Sequence, residues 1–231
     1  MSPEPGSDRW WVVVPVKDTV RGKSRIAAPV RVRRSVARAL ATDTLAAAVA
    51  SDEVAAVLAV TETEHDAEMA AQVGARTVVA TTGSLGAAVG AGIASVPAGA
   101  AVAVLLGDVP AARPADLSEV LRAVRSGETV FVSDAAGTGT TLLAARDVLL
   151  TPHFGPGSAA LHRRAGFRDL VAAGGVPAGL RHDVDTVADL QAVQGLLEVP
   201  GSRTAVLLGR ADVRAALTGV PPGVRRDARP R

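Results

Sequence analysis

Short, unbroken apolar runs alternate along the chain with longer alanine-rich stretches in which charged residues recur at helical spacing. WWVVVPV at 10–16, VAAVLAV at 54–60, RTVVA at 76–80 and AVAVLL at 101–106 are short runs rich in apolar and β-branched residues, and they read as strands. RVRRSVARALATDTLAAAVAS, between the first two, reads as a long amphipathic helix, and further helices are predicted at 65–73, 85–95 and 115–125. Apolar strands alternating with helices imply an α/β fold, with a mainly parallel sheet covered by helices on both faces. Farther along, TVFVS, TTLLAA and a short segment before HDVDT are expected to add mixed or antiparallel strands. Residues 1–8 read as a disordered lead, 9–217 as one domain, and 218–231 as a basic, solvated tail carrying Arg225, Arg226, Arg229 and Arg231.

Composition narrows what such a domain can do. At 231 residues, 48% hydrophobic and mean hydropathy +0.27, the chain can bury one sizeable core. A net charge of only +2, with three Phe, two Trp and no Tyr, supplies neither a strong basic field nor a platform for stacking bases, so nucleic acid is not an expected partner. The absence of cysteine excludes disulfides, thiolate metal sites and a cysteine nucleophile. No apolar run reaches membrane-spanning length, and MSPEPGSDR lacks the features of a signal peptide. The expectation is a cytoplasmic protein with no membrane partner.

The use of lysine is uneven. Of 25 cationic residues 23 are arginine, and the two lysines, Lys17 and Lys23, both fall in VKDTVRGKSR, directly after the first predicted strand. An ammonium is a compact point charge where a guanidinium is a planar fork, so this loop calls for the former twice. In open α/β sheets ligands collect at the carboxyl ends of the strands. There Gly22 is expected to permit an unusual backbone angle, and Lys17, Arg21, Lys23 and Arg25 to wrap a polyphosphate; an ordinary solvated cationic loop is the alternative. The spacing is not that of a Walker A loop.

Other strand ends carry acids and glycines. Asp108, in GDVP after AVAVLL, is held by a proline-fixed turn, or else caps the next helix, a task for which Asp116 is better placed. Asp183 and Asp185 in HDVDT alternate, which on an extended segment puts both carboxylates on one face, where a shared cation relieves their repulsion. Oxygen ligands without cysteine point to Mg²⁺, although Asp185 or Thr186 also suits a helix cap. DAAGTGT leads through Thr140 into a strand. FGPGS places Gly155, Gly157 and Ser158 before a helix, where backbone amides and the Ser158 N–H and hydroxyl are expected to meet an anion, or simply to form a turn and cap. His162, one turn on, is expected to pack rather than to act.

The ordered set VPVK…GKSR, GDVPA, D-x-x-GTGT, FGPGS-x-x-x-H and DVDT, spanning roughly 10–200, resembles the 2-phospho-L-lactate or phosphoenolpyruvate guanylyltransferases of coenzyme F-420 biosynthesis. The resemblance implies a single-domain, Rossmann-like and GT-A-like nucleotidyltransferase fold. The implied reaction transfers GMP from GTP to phosphoenolpyruvate, releases pyrophosphate and hands the product to a downstream enzyme. By the same resemblance Lys17, Lys23 and Arg25 face GTP, with Lys23 and Asp108 catalytic. Asp108, Asp183 and Asp185 hold Mg²⁺, and Thr140, Gly155 and Ser158 contact phosphoenolpyruvate. Gly86, where the family often has Asn, and Ala159, where an aromatic residue is common, depart from its pattern. The alternatives are transfer to 2-phospho-L-lactate, to a sugar phosphate or to molybdopterin, or a nucleotide-binding protein without catalysis.

Overall fold

A computed structural model describes residues 9–19, 22–80, 83–197 and 201–218. The predicted lead at 1–8, Arg21 and the tail beyond Thr218 lie outside the described residues. Seven strands form one sheet in the order β3-β2-β1-β4-β6-β5-β7. β1 (Trp10–Val16), β2 (Val54–Thr61), β3 (Arg76–Val79) and β4 (Val102–Leu105) are mutually parallel, and β5 (Thr129–Ser133) runs parallel to β7 (Arg168–Asp169). β6 (Thr140–Ala145) is antiparallel to both β4 and β5. The segment before HDVDT is not a strand: Ala178–Leu180 form one turn of 3₁₀ helix, and the seventh strand is the shorter Arg168–Asp169.

β1, β2 and β4 are largely buried on both faces, as parallel sheets require, whereas β3, at the sheet edge, is mostly exposed. Along β1, Trp10, Val12, Val14 and Val16 enter one core cluster and Val13 enters another. Helices α1 (Val30–Val49), α2 (Glu64–Val73) and α4 (Pro114–Arg122) supply the first cluster through Leu45, Met69 and Leu117. Helices α3 (Leu85–Ala94) and α5 (Ser158–Arg164) cover the opposite face through Val89 and Ala159. α1 is apolar on two sides: Val32, Val36 and Leu40 form a third cluster with α6 (Val187–Gln194), α7 (Arg203–Gly209) and α8 (Ala211–Thr218). Asp43 of α1 caps α7 from outside its own helix, accepting from Ser202 Oγ (2.9 Å) and the Thr204 N–H (2.8 Å). Asp116 is not the cap of α4, which starts at Pro114 after Arg113 with no side-chain cap.

The strand order places the crevice. After β1 the chain steps outward through β2 and β3, then returns to lay β4 on the other side of β1, so the connections diverge above the β1 and β4 ends. Because β6 runs opposite to β4, with Leu142 paired to Leu105, its first residue, Thr140, lies at the same edge of the sheet as the residues following β4.

Candidate active site

Lys23 reaches across the crevice. Its Nζ donates to Asp108 Oδ2 at 2.5 Å and to Asp185 Oδ1 at 3.0 Å, while Arg25 approaches the other Asp185 oxygen at 3.5 Å. The Lys23 side chain is only 7% exposed, so Lys23 is not part of an ordinary solvated cationic loop. Burial alone would lower its pKa; the Asp108 and Asp185 carboxylates outweigh that and hold it above the ordinary lysine value. Asp185 answers in kind: burial would raise it, but Lys23 above all, then Lys17 and Arg25, keep it below the usual carboxylate range. Asp183 is not part of this grip. Burial, then Asp108 and Asp134, push it up to about 6.

The backbone around Lys23 differs from the sequence expectation in a specific way. The left-handed residue is Lys23 itself (φ 57°), not Gly22. Gly22 is required for a different reason: its N–H donates to the Asp18 carbonyl at 2.7 Å, and a Cβ would lie 2.9 Å from that same oxygen. Two anchors hold the loop. Ile26 is fully buried, and Thr19 donates its hydroxyl (2.6 Å) and N–H (3.2 Å) to the two carboxylate oxygens of Asp66, which is 1% exposed at the start of α2. Asp66 was not foreseeable as an anchor, because three residues after Thr63 it reads as an ordinary N-terminal helix residue, and it does fill that place too.

Asp108 is positioned from both sides. The Val109 N–H donates to Thr44 Oγ1 of α1 at 3.1 Å, and the Asp108 carbonyl accepts the Val184 N–H at 3.1 Å, which ties the HDVDT segment to the β4 turn. A Cβ on Gly107 would lie 2.7 Å from the Pro15 carbonyl, so only glycine lets the end of β4 close on β1. Val184 is fully buried between the half-buried Asp183 and Asp185, in line with the alternation expected of that segment. The cap of α6 is Thr186, in a capping box with Asp189, which leaves Asp185 free to face Lys23. Asp108 Oδ1 is buried without a hydrogen-bond partner. Among the described residues no three Asp, Glu, His or Cys side chains form a ready-made metal cluster. Two carboxylates around one cation, one of them with an orphaned buried oxygen, fit a divalent ion that takes its remaining ligands from a phosphate and water. Lys17, Lys23, Leu85, Asp108 and Asp185 line one cleft that opens to solvent above the ends of β1 and β4. Lys17 lines it and is exposed.

The second group lies along β6 and α5. Asp134 folds the GTGT turn around its own carboxylate, accepting from the Thr138 and Gly139 N–H groups at 2.8 Å each. Thr140 and Ser158 are buried, and the Ser158 hydroxyl lies 3.2 Å from Thr140 Oγ1. The Ser158 N–H is already used by the Gly155 carbonyl (3.1 Å), so it is not presented to a ligand as expected. Gly155 (φ 134°) and Gly157 (φ 72°) are exposed and shape the turn. His162 is fully buried, as expected for a packed residue; burial, then His153, push it down to about 4.

Among the described residues no helix is long and apolar enough to cross a membrane. The family described as "Guanylyl transferase CofC like" matches residues 10–172. A phosphoenolpyruvate guanylyltransferase of Streptomyces scabiei is 43% identical over 87% of this chain and 97% of its own, and one of Salinispora arenicola is 44% identical over 87% and 94%. Among solved structures, a nucleotide-diphospho-sugar transferase of Desulfovibrio desulfuricans superposes with TM-score 0.66 at 16% identity, covering 91% of this chain and 97% of its own. A nucleotidyl transferase of Methanothermobacter superposes with TM-score 0.60 at 15% identity, covering 82% and 97%. These two share the fold described above. With the family match over most of its sheet and relatives above 40% identity along nearly their whole length, the chain belongs to the CofC-like guanylyl transferases.

Proposed function

We propose that this enzyme transfers GMP from GTP to phosphoenolpyruvate, forming enolpyruvyl-2-diphospho-5'-guanosine for coenzyme F-420 biosynthesis and releasing pyrophosphate. The acceptor comes from the names of the relatives. The observation that carries the chemistry is the convergence of Asp108, Asp185 and Lys23 above β1 and β4. A phosphate oxygen of phosphoenolpyruvate attacks the α-phosphorus of GTP. One P–O bond forms, the bond from the α-phosphorus to the bridging oxygen breaks, and the electron pair leaves with pyrophosphate. The acceptor phosphate is ionised near neutral pH, so the site needs no general base.

Asp108 and Asp185, with Asp183 beside them, would hold Mg²⁺, which when bound supplies charge neutralisation at the α-phosphate. Lys23, released from its two carboxylates, turns to the triphosphate and offsets the charge that develops on the leaving pyrophosphate, with Lys17 and Arg25 holding the outer phosphates. Thr140, Ser158 and the Gly155 turn contact the acceptor. Domain organisation follows the same reading with one residue's change: the nucleotidyltransferase unit, expected at 9–217, runs to the end of α8 at Thr218, and 219–231 is a dispensable basic tail.

The test is pyrophosphate release from GTP and Mg²⁺ with phosphoenolpyruvate or 2-phospho-L-lactate as acceptor. The two acids share a phosphate and a carboxylate and differ at the second carbon, a distinction worth about 1–3 kcal/mol. Phosphoenolpyruvate is expected to give the higher kcat/KM. A preference for phospholactate would reassign the acceptor, and no pyrophosphate with either would overturn the reaction.

A further inference from the structure

His162 lies one helical turn after Ser158 on α5, so both side chains point at Thr140 of β6. Its ring is held at both ends: Nδ1 is 3.0 Å from Thr140 Oγ1, and Nε2 accepts the backbone N–H of His153 at 3.0 Å. The rings of Phe131, Phe154, Phe167 and His153 enclose it, with centroids 5.2–5.8 Å away. A nitrogen that accepts an N–H carries no proton, so the neutral ring has its hydrogen on Nδ1 and donates to Thr140. Burial keeps the ring neutral at physiological pH.

His162 Nδ1, Thr140 and Ser158 bring three hydrogens to two contacts, His162 to Thr140 and Thr140 to Ser158. One hydroxyl hydrogen is left over whichever way the Thr140–Ser158 bond runs. Without the imidazole donor, Thr140 and Ser158 could turn toward other acceptors, and a ligand would have to reorder them on binding.

We propose that His162 is a positioning residue for the acceptor: by donating to Thr140 Oγ1 it commits the Thr140–Ser158 pair to present one hydroxyl hydrogen to an oxyanion of the bound phospho-acid. The proposal rests on the reading of Thr140 and Ser158 as acceptor contacts. It also gives the FGPGS turn a physical link to β6, because the same ring holds His153, the residue before that turn.

Two measurements test it. In the first, kcat and the KM values for phosphoenolpyruvate and for GTP are compared in Thr140→Val, His162→Leu, His162→Asn and the double variant Thr140→Val/His162→Leu. Loss of a hydrogen bond to a charged group is worth about ten- to hundredfold, so Thr140→Val and His162→Leu should each raise the phosphoenolpyruvate KM by that order while the GTP KM stays put. His162→Asn, whose amide can place an N–H near the Nδ1 position, should recover most of the loss, and the double variant should be no worse than Thr140→Val alone. If Thr140→Val leaves the phosphoenolpyruvate KM unchanged, the acceptor reading of Thr140 falls. If Thr140→Val acts but the Leu and Asn variants are equally impaired and multiply with it, His162 only packs and the inference falls. The second measurement needs no variant: the ¹⁵N shifts of His162 in the native enzyme should report a neutral ring protonated on Nδ1 from pH 5 to 8. A ring protonated on Nε2, or one titrating near its ordinary value, overturns the proposal.

Discussion

The two halves of the crevice are built by opposite means. Above β1 and β4 the contacts end on carboxylates and join residues far apart in sequence, the Lys23 ammonium to Asp108 and Asp185 and the Thr19 hydroxyl to Asp66. Along β6 and α5 the Thr140, Ser158 and His162 side chains are joined by neutral hydrogen bonds within one short stretch, closed under aromatic rings. The ionic half is assembled around one cation held by two carboxylates, which in the proposed reaction it leaves for the triphosphate. The neutral half is already set, and nothing in it has to break. One half is therefore poised to exchange partners and the other to hold still.

The largest effect should come from removing the cation. Lys23→Ala is expected to lower turnover by orders of magnitude, and Lys23→Arg to impair it too, because a planar fork cannot replace a point charge between two carboxylates. Lys23→Ala also leaves Asp108 buried beside Asp185 without a counter-ion, at a cost of about 1–3 kcal/mol. Magnesium should restore most of that loss of Tm in the variant and do less for the native protein; a Tm indifferent to magnesium would remove the two carboxylates from the metal site. In the neutral half, Ser158→Ala should raise the KM for phosphoenolpyruvate and for 2-phospho-L-lactate together, by about tenfold, and leave the GTP KM alone. A change in the GTP KM of the same size would erase the contrast between the halves.

Smaller effects sharpen it. His162 has a folded pKa of about 4 against an ordinary value of 6.5, so the unfolded chain binds the extra proton between those values. Its contribution to stability is complete above pH 6.5 and is lost as pH falls toward 4, up to about 3 kcal/mol. Urea unfolding of the native protein should therefore lose more stability between pH 7 and 4.5 than that of His162→Asn. Asp66→Asn, which weakens the Thr19 anchor, should raise the GTP KM roughly fivefold, about 1 kcal/mol, with the acceptor KM unchanged. Deleting residues 219–231 should leave turnover and Tm within error of the native values.

The same contrast explains what could be read from sequence. Strands β1, β2 and β4 to β6 and helices α1 to α6 are legible because burial leaves continuous apolar runs and the helices between them keep their period, while β3 is legible from its β-branched residues although it is exposed at the sheet edge. Lys23, Asp108 and Asp185 stood out by residue type at strand ends, and the fold brings those three together. What could not be read is geometry set by distant partners. Nothing local to GKSR says that Lys23 takes the left-handed angle, that Gly22 is needed for its closeness to the Asp18 carbonyl, or that Asp66 holds Thr19. The short β7 is two residues long and carries no pattern, and the stretch before HDVDT lost its strand to a 3₁₀ turn, where Thr141 Oγ1 bonds the Leu180 carbonyl at 2.6 Å. α7 and α8 went unread because their apolar faces answer to α1 rather than to the sheet.

The reversed direction of β6 has a consequence for how such enzymes diversify. Because that strand enters the crevice by its first residue, the whole proposed acceptor wall, from the Asp134 turn through Thr140 to Phe167, is one contiguous stretch of 34 residues, whereas the nucleotide wall draws on residues from 17 to 185. Within this architecture, a change of acceptor is a local edit, while a change of nucleotide chemistry would require coordinated alterations across most of the chain.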